Sequence, residues 1–369
     1  MKKKLAIIGA STGQVWICKK AKELGLETFC FAWAEGAVCK DLVDHFYPIS
    51  IFERDQIVDK CRELGIDGVV SNASEKTAEV VSYVAEKLGL NGVNHQRLLE
   101  IKDKYHLREL CKDIDGLLMP KYYKYEGIDK GIYPCVIKPC VGAAKIGVSF
   151  VANESEFATA IQYTGYPETK DIIVEEYIDG KELSVESISF HGKHQVLQIT
   201  DKDTTGAPHF VEIGHHQPAQ LTDEIRNTIL KVTPLVLSAI GYTNGASHIE
   251  LKYNQNGVYL IEANLRGGGC EISNRLTFMS TGIDYLRCMI DVALDCYTGP
   301  VKIGEQHYAG IYFLCKQTSR LLPIFTDAET KNQPWYVDSN IVSTDLNEVT
   351  SNYNRNGFII YKSDKKIVL

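Results

Sequence analysis

SHIELKYNQNGVYLIEANLR, running from Ser247 to Arg266, consists of two segments that each alternate at period two. That period predicts two strands, Ser247 to Lys252 and Val258 to Arg266. The join, Tyr253 to Gly257, contains Asn-Gly, a strong short-range hairpin signal. His248, Glu250 and Lys252 share one face of the first strand, and Glu262, Asn264 and Arg266 share one face of the second. An odd loop or a bulge at Gly257 would bring both sets onto one surface. Two carboxylates placed that close repel until one takes up a proton or a cation joins them. Glu250, Glu262 and Asn264 are hard oxygen ligands of the kind that suits Mg²⁺ (or Mn²⁺) shared with phosphates. Arg266 adds a planar fork for phosphate or carboxylate. The pattern points to phosphoryl transfer.

Around this hairpin lie 369 residues, enough for two or three domains, with 44% hydrophobic and 24% charged residues. The net charge of −7, with no long basic run, argues against nucleic acid as a partner. Eleven cysteines carry neither a CxxC pair nor zinc spacing and read as reduced, mostly buried thiols. Lys2 to Lys4 followed by Leu5 to Gly9 is too short for a signal sequence, and no segment is long enough to span a bilayer. A cytoplasmic protein without a membrane partner is expected.

The first hundred residues alternate strand and helix. Strands are expected at Lys4 to Gly9, Glu27 to Ala32 and Gly68 to Ser71. Helices are expected at Gly13 to Leu24, Asp55 to Leu64 and Lys76 to Leu88. This predicts a doubly wound parallel α/β sheet. Beyond it, Ile101 to Cys111 reads as one helix. Pro134 to Pro139 and Ile146 to Val151 read as strands around a small-residue loop. Asn153 with Glu156 resembles a capping box. Strands follow at Asp171 to Ile178 and Leu183 to Phe190. A long helix from Thr222 to Ile240 should kink at Pro234. The stretch after 301 is strand-like and tyrosine-rich, without a legible motif.

Four other segments carry candidate chemistry, and taken singly each has an ordinary structural reading. Lys138 precedes a loop from Gly142 to Gly147 that includes Lys145, where backbone N–H groups could approach phosphate. Glu175, Glu176 and Ile178 end a strand before Glu182, as in a hinge that could face adenine and ribose, or as a charged turn. Gly9 to Gly13 satisfies G-x-S-x-G but lacks an oxyanion segment and the full dinucleotide fingerprint, so a tight strand-to-helix turn is the better reading. His215-His216 could serve substrate or metal, or form a polar turn.

The ordered set resembles the ATP-grasp superfamily of carboxylate–amine ligases, nearest the L-amino acid ligase and carbamoyl-phosphate-synthase-like branch. It comprises Asp103-Lys104, Lys138, the 142–147 loop, the hinge from Glu175 to Ile178, Glu182, and the Glu250…Glu262-x-Asn264-x-Arg266 hairpin. The segment from Val211 to Ala219 resembles one found in the amino acid ligase branch. The resemblance implies an N-terminal α/β domain at 1–100, a lid subdomain and hinge at 101–183, a large subdomain at 184–300 and a small β-rich part at 301–369. It implies ATP phosphates on Lys104 and Lys138, adenine at Glu175 and Ile178 with Glu176 beside them, and ribose at Glu182. Glu250, Glu262 and Asn264 would hold the metal, with Arg266 on the γ- or acyl phosphate. The loop bearing Gly142 and Lys145 would close as a lid, although Lys145 stands where Gly or Ser is usual. His215, His216 and Arg275 are candidate substrate contacts. Small-molecule carboxylate and amine partners follow, with an amide product formed by way of an acyl phosphate. Oligomeric state stays open, a homodimer included. The alternatives are a non-catalytic nucleotide binder and an NAD(P)-dependent enzyme using the first domain.

Overall fold

The computed structural model describes residues 2–72, 74–142 and 146–369. Its first sheet is parallel, with β1 (Lys4–Ile8), β2 (Glu27–Phe31), β3 (His45–Tyr47) and β4 (Gly68–Val70) in the order β3-β2-β1-β4. Alternation along β1 divides its side chains between two cores. Leu5 and Ile7 pack with helices Val15–Glu23 and Tyr285–Ala293. Ala6 and Ile8 pack with helices Arg54–Leu64 and Glu75–Leu88. Both faces are therefore covered, as a parallel sheet requires. One covering helix, Tyr285–Ala293, arrives from far along the chain and ties the first sheet to the rest. In the first turn, Ser11 Oγ donates to Gln14 Oε1 at 2.7 Å, and Ser11 N–H reaches the same oxygen at 3.1 Å. The G-x-S-x-G serine thus opens a single tight turn, Thr12–Gln14, that leads into the helix.

A second sheet is antiparallel, with β5 (Tyr122–Lys124), β6 (Cys135–Pro139), β7 (Ser149–Val151) and β8 (Ile172–Glu176) in the order β5-β8-β6-β7. Helix Glu154–Tyr163 buries Phe157, Ala160 and Ile161 against it. Its start differs from the expected capping box. Asn153 Oδ1 accepts from Ser155 N–H, but Glu156 takes the N–H of Ala152, one residue earlier.

The largest sheet has eight strands, of which β9 (Lys181–Phe190), β10 (Lys193–Thr204) and β11 (Glu212–Gln217) come first. β12 (Gly245–Asn254), β13 (Gly257–Asn264), β14 (Tyr308–Leu314), β15 (Tyr336–Ile341) and β16 (Gly357–Ser363) complete it. The order is β13-β12-β9-β10-β11-β14-β16-β15. β10 was not foreseen, and β11 replaces the turn read at His215-His216. β14, β16 and β15, drawn from the stretch after 301, continue this same sheet. Helix Asp223–Ala239 buries Ile229, Val232, Val236 and Leu237 against Leu183, Val185, Ile249 and Leu251. The helix expected from Ile101 to Cys111 is two helices, His95–Ile101 and Lys104–Cys111. Asp103 causes the break, because its carboxylate caps the second helix through Tyr105 N–H and His106 N–H.

The deciding hairpin turns tightly, with Asn254 opposite Gly257. That register places even residues opposite odd ones. It shifts between Glu250 and Leu251, because Leu251 pairs with Leu260 while Glu250 pairs with Glu262. The extra residue is Ile261, so the bulge lies there and not at Gly257. Beyond it Glu250 faces Glu262 and His248 faces Asn264. The chain then folds back through Gly267, where an added Cβ would meet Asn72 O at 2.7 Å and Met289 Cε at 2.8 Å. Gly267→Ala is expected to cost about 1–3 kcal/mol through this overpacking, measurable as a lowered urea midpoint.

Candidate active site

Three cations and two carboxylates meet where helix Lys104–Cys111 crosses β6, β8 and β13. Glu175 lies on β8 with only 4% of its surface exposed. Arg108 Nε donates to its Oε1 at 2.7 Å, and Lys138 Nζ reaches its Oε2 at 2.5 Å. Arg108 is wholly buried and sends Nη2 to Ile261 O at 2.8 Å, so it also satisfies the carbonyl of the bulged residue. Lys104 Nζ stands 3.2 Å from Glu262 Oε1 and donates to Gly142 O. Burial opposes a charge on Glu175, but Arg108 and then Lys138 outweigh it and hold its carboxyl at about 2. Burial, together with Arg108 and Lys104, makes Lys138 easier to deprotonate, and Glu175 only partly offsets this. Positive charge is thus in excess, and an anion in this position would relieve it.

The sign for Glu175 is that of a depressed carboxyl. Its contribution is present above the ordinary value of 4.5 and is lost as pH falls toward 2. Glu175→Gln is expected to lose about 3 kcal/mol at pH 7, and the gap to wild type should close between pH 4.5 and 2. Urea midpoints across that range test it.

A second cluster centres on Lys202 of β10, whose side chain is 1% exposed. Its Nζ lies 3.3 Å from Glu182, 3.0 Å from Glu212 and 3.1 Å from Glu250. Burial would lower its proton affinity, but the three carboxylates raise it well above the ordinary lysine value. His248 bridges Glu186 (2.5 Å) and Glu250 (3.4 Å). Burial disfavours its charge, and Glu186 then Glu250 overcome that, raising it to about 9. Lys202 and His248 likewise keep Glu250 ionised against its burial. Glu186 Oε2 accepts Gly268 N–H at 3.1 Å, which joins this cluster to the chain beyond Arg266.

A cleft runs beside both clusters, lined by Glu75, Lys102, Gly142, Glu262, Asn264 and Arg266. Arg266 Nη2 lies 3.9 Å from Glu75 Oε1, while its Nε and the Asn264 Nδ2 are buried without partners among the described residues. Burial raises the Glu75 carboxyl, and Arg266 only partly counters it.

The structure brings Lys104, Lys138, Glu175, Glu250, Glu262, Asn264 and Arg266 around this region. Glu182 joins them through Lys202. Glu176 sits at the strand end, its carboxylate taking Lys121 N–H. Ile178 is buried, and its carbonyl accepts from Lys252 at 3.2 Å. Lys252 also lies over the rings of Tyr177 and Phe210 at 5.0 and 5.4 Å. Lys145 lies outside the described residues.

The two histidines separate, since neighbours on a strand point to opposite faces. His215 faces Glu212 and Cys270. His216 is held by Asp203 at 3.0 Å and Tyr361 at 3.1 Å, away from the cleft. Arg275 is not brought to the cleft either, because Glu271 and Asp338 engage it at 2.6 and 2.7 Å. Sequence reasoning missed Arg108, Lys202 and Glu186. A lone arginine on a helix and a lysine within an unrecognised strand gave no local signal.

Two carboxylates face each other on a hairpin, an amide and an arginine follow, and lysines from two other elements converge on them. Residues 132–274 match the family model of an ATP-grasp domain. A D-alanine–D-alanine ligase of Pediococcus pentosaceus is 29% identical over 136 residues, 36% of this chain and 38% of that one. An alanine–anticapsin ligase of Bacillus subtilis is 24% identical over 295 residues, 69% and 62% of the two chains. The chain therefore spans less than two thirds of the length of these relatives. In fold it is similar to an L-amino acid ligase from Bacillus licheniformis, with TM-score 0.80 and 24% identity, covering 99% of this chain and 94% of that one. A phosphoribosylglycinamide synthetase from Anaerococcus prevotii gives TM-score 0.77 at 19% identity, covering 99% and 95%. Residues 132–274 thus match an ATP-grasp domain, and the chain as a whole shares its fold with these solved structures. No helix among the described residues is long and apolar enough to cross a membrane.

Proposed function

We propose that the chain is an ATP-dependent, ADP-forming carboxylate–amine ligase acting on small molecules, with amino acids as the favoured substrates. The observation that carries this is the direct pairing of Glu250 with Glu262, with Asn264 next on the same face and Arg266 at the cleft. These oxygens fit a hard dication. Among the described residues their charges are met by Lys202, His248 and Lys104, and the Asn264 amide nitrogen makes no hydrogen bond. Glu250, Glu262 and Asn264 would hold Mg²⁺ or Mn²⁺, which when bound offsets phosphate charge and shares its shell with ATP.

The remaining work falls to protein side chains. Lys104 and Lys138 neutralise phosphate oxygens, and phosphate in turn keeps Lys138 protonated. The substrate carboxylate attacks the γ-phosphate in line, releasing ADP and leaving an acyl phosphate. Arg266 steadies the transferred group through its guanidinium. An amine then adds to the acyl carbon and phosphate departs, forming an amide. Positioning and charge stabilisation supply the catalysis, and no side-chain nucleophile is required. The hinge from Glu176 to Ile178, backed by Lys252, offers backbone groups to adenine, and Glu182 offers its carboxylate to ribose. Glu175 acts from behind, holding Lys138 in place.

The test is nucleotide release against a matrix of amino acid pairs, with mass spectrometry of products. ADP and phosphate, dependent on Mg²⁺ and on two substrates, are expected. AMP and pyrophosphate would indicate adenylation instead, and no turnover with retained ATP binding would indicate a nucleotide binder.

A further inference from the structure

Cys270 is one of two cysteines not classed as buried, the other being the exposed Cys296. It follows the glycine run after Arg266, and both it and Glu271 adopt positive φ, 50° and 67°. Two consecutive non-glycine residues there are unusual and hold the thiol in a defined direction. Arg355 Nη2 lies 3.1 Å from its Sγ, and the same guanidinium stacks on Phe313 at 3.6 Å. Glu212 Oε2 is 3.8 Å from the sulfur. His215 has no exposed surface, and neither of its ring nitrogens makes a hydrogen bond of good geometry among the described residues. The ring faces the sulfur, and its Nε2 stands 3.4 Å from Glu212 Oε2.

One ligand atom from each of Glu212, His215 and Cys270 lies within 4.8 Å of the others, a spacing a metal ion could span. Charge argues against that occupant, because Arg355 already sits on the sulfur and Lys202 on Glu212 at 3.0 Å. The same charges favour an anion on sulfur. Burial would push the thiol up, but contact with His215 and the charge of Arg355 outweigh both burial and Glu212, holding it below the ordinary thiol value. His215 is raised correspondingly against its own burial.

We propose that Cys270 is a covalent modification site, a thiolate held between His215 and Arg355 that reacts with soft electrophiles such as haloacetamides and hydrogen peroxide. With peroxide the sulfur attacks one oxygen, an S–O bond forms as the O–O bond breaks, and hydroxide leaves. The sulfur becomes a sulfenic acid, oxidised by two electrons, and the peroxide is reduced. This chemistry does not depend on the ligase reading.

The test is limited iodoacetamide labelling of the intact protein at pH 7, followed by peptide mass spectrometry. Cys296 is the internal control, exposed and held above the ordinary thiol value by partial burial and Asp291. Cys270 is expected to label at least tenfold faster, despite lesser exposure. Labelling no faster than Cys296 would overturn the proposal. In Arg355→Gln the Cys270 rate should fall at least threefold with the Cys296 rate unchanged, and an unchanged Cys270 rate would also count against it. After brief peroxide treatment, dimedone should add at Cys270 in the wild type, and its absence there would refute the oxidation step.

Discussion

Lys202→Met is expected to destabilise the protein by about 3–5 kcal/mol, the cost of stranding buried charges. Three carboxylates meet on that one ammonium, at 3.0 to 3.3 Å from Glu182, Glu212 and Glu250. Methionine fills similar volume, so packing changes little and charge dominates. Without the ammonium, Glu250 keeps only His248 among the described residues, at 3.4 Å, and the three acids repel one another. Some must then bind protons on folding, so the deficit should shrink as pH falls through the carboxylate range. Urea denaturation at pH 7 and pH 5 measures both statements. An unchanged midpoint at pH 7 would mean that water or a cation can replace the lysine.

Glu262→Gln is expected to lower ADP formation by about 10³-fold while leaving the fold intact. Glu262 is part-exposed and among the described residues its one ion pair is to Lys104, so the structural cost of losing its charge is small. Its functional weight is larger, because it supplies one of the two facing carboxylates and the charge that balances Lys104. Glutamine retains shape and one oxygen, which isolates the loss of charge. Circular dichroism and the urea midpoint check folding, and initial rates of ADP release check function. Full activity would remove Glu262 from the metal set and, with it, the central argument for phosphoryl transfer.

Much of the architecture was legible because period-two and period-3.6 patterns are strong where one face is buried. The Glu250–Arg266 hairpin reads correctly for that reason, whereas Leu5 to Ile8 and Ile172 to Val174 read correctly as short unbroken apolar runs buried on both faces. β10 was missed because Lys193 to Thr204 alternates polar with polar near its ends, and its buried members include Thr200, Asp201 and Lys202. A strand whose inward residues are charged looks like a loop until its partners are known. The same blindness hid Arg108, which is buried only because Glu175 arrives from 67 residues away. The His215-His216 pair misled in the opposite way. Adjacency in sequence suggested shared work, whereas a strand sends the two rings to different environments.

The single extra residue at Ile261 resets the phase of one strand relative to the other. It lets the tip of the hairpin close by the shortest route while the base presents both acids on the same side. Because Arg108 grips the displaced carbonyl, that offset is locked to the bed of cations behind it. Deleting that position would leave Glu250 opposite Glu262 in a regular ladder but would remove the carbonyl that Arg108 holds. Length in this segment is accordingly under tighter constraint than side-chain identity at position 261, where any residue able to expose its carbonyl would serve.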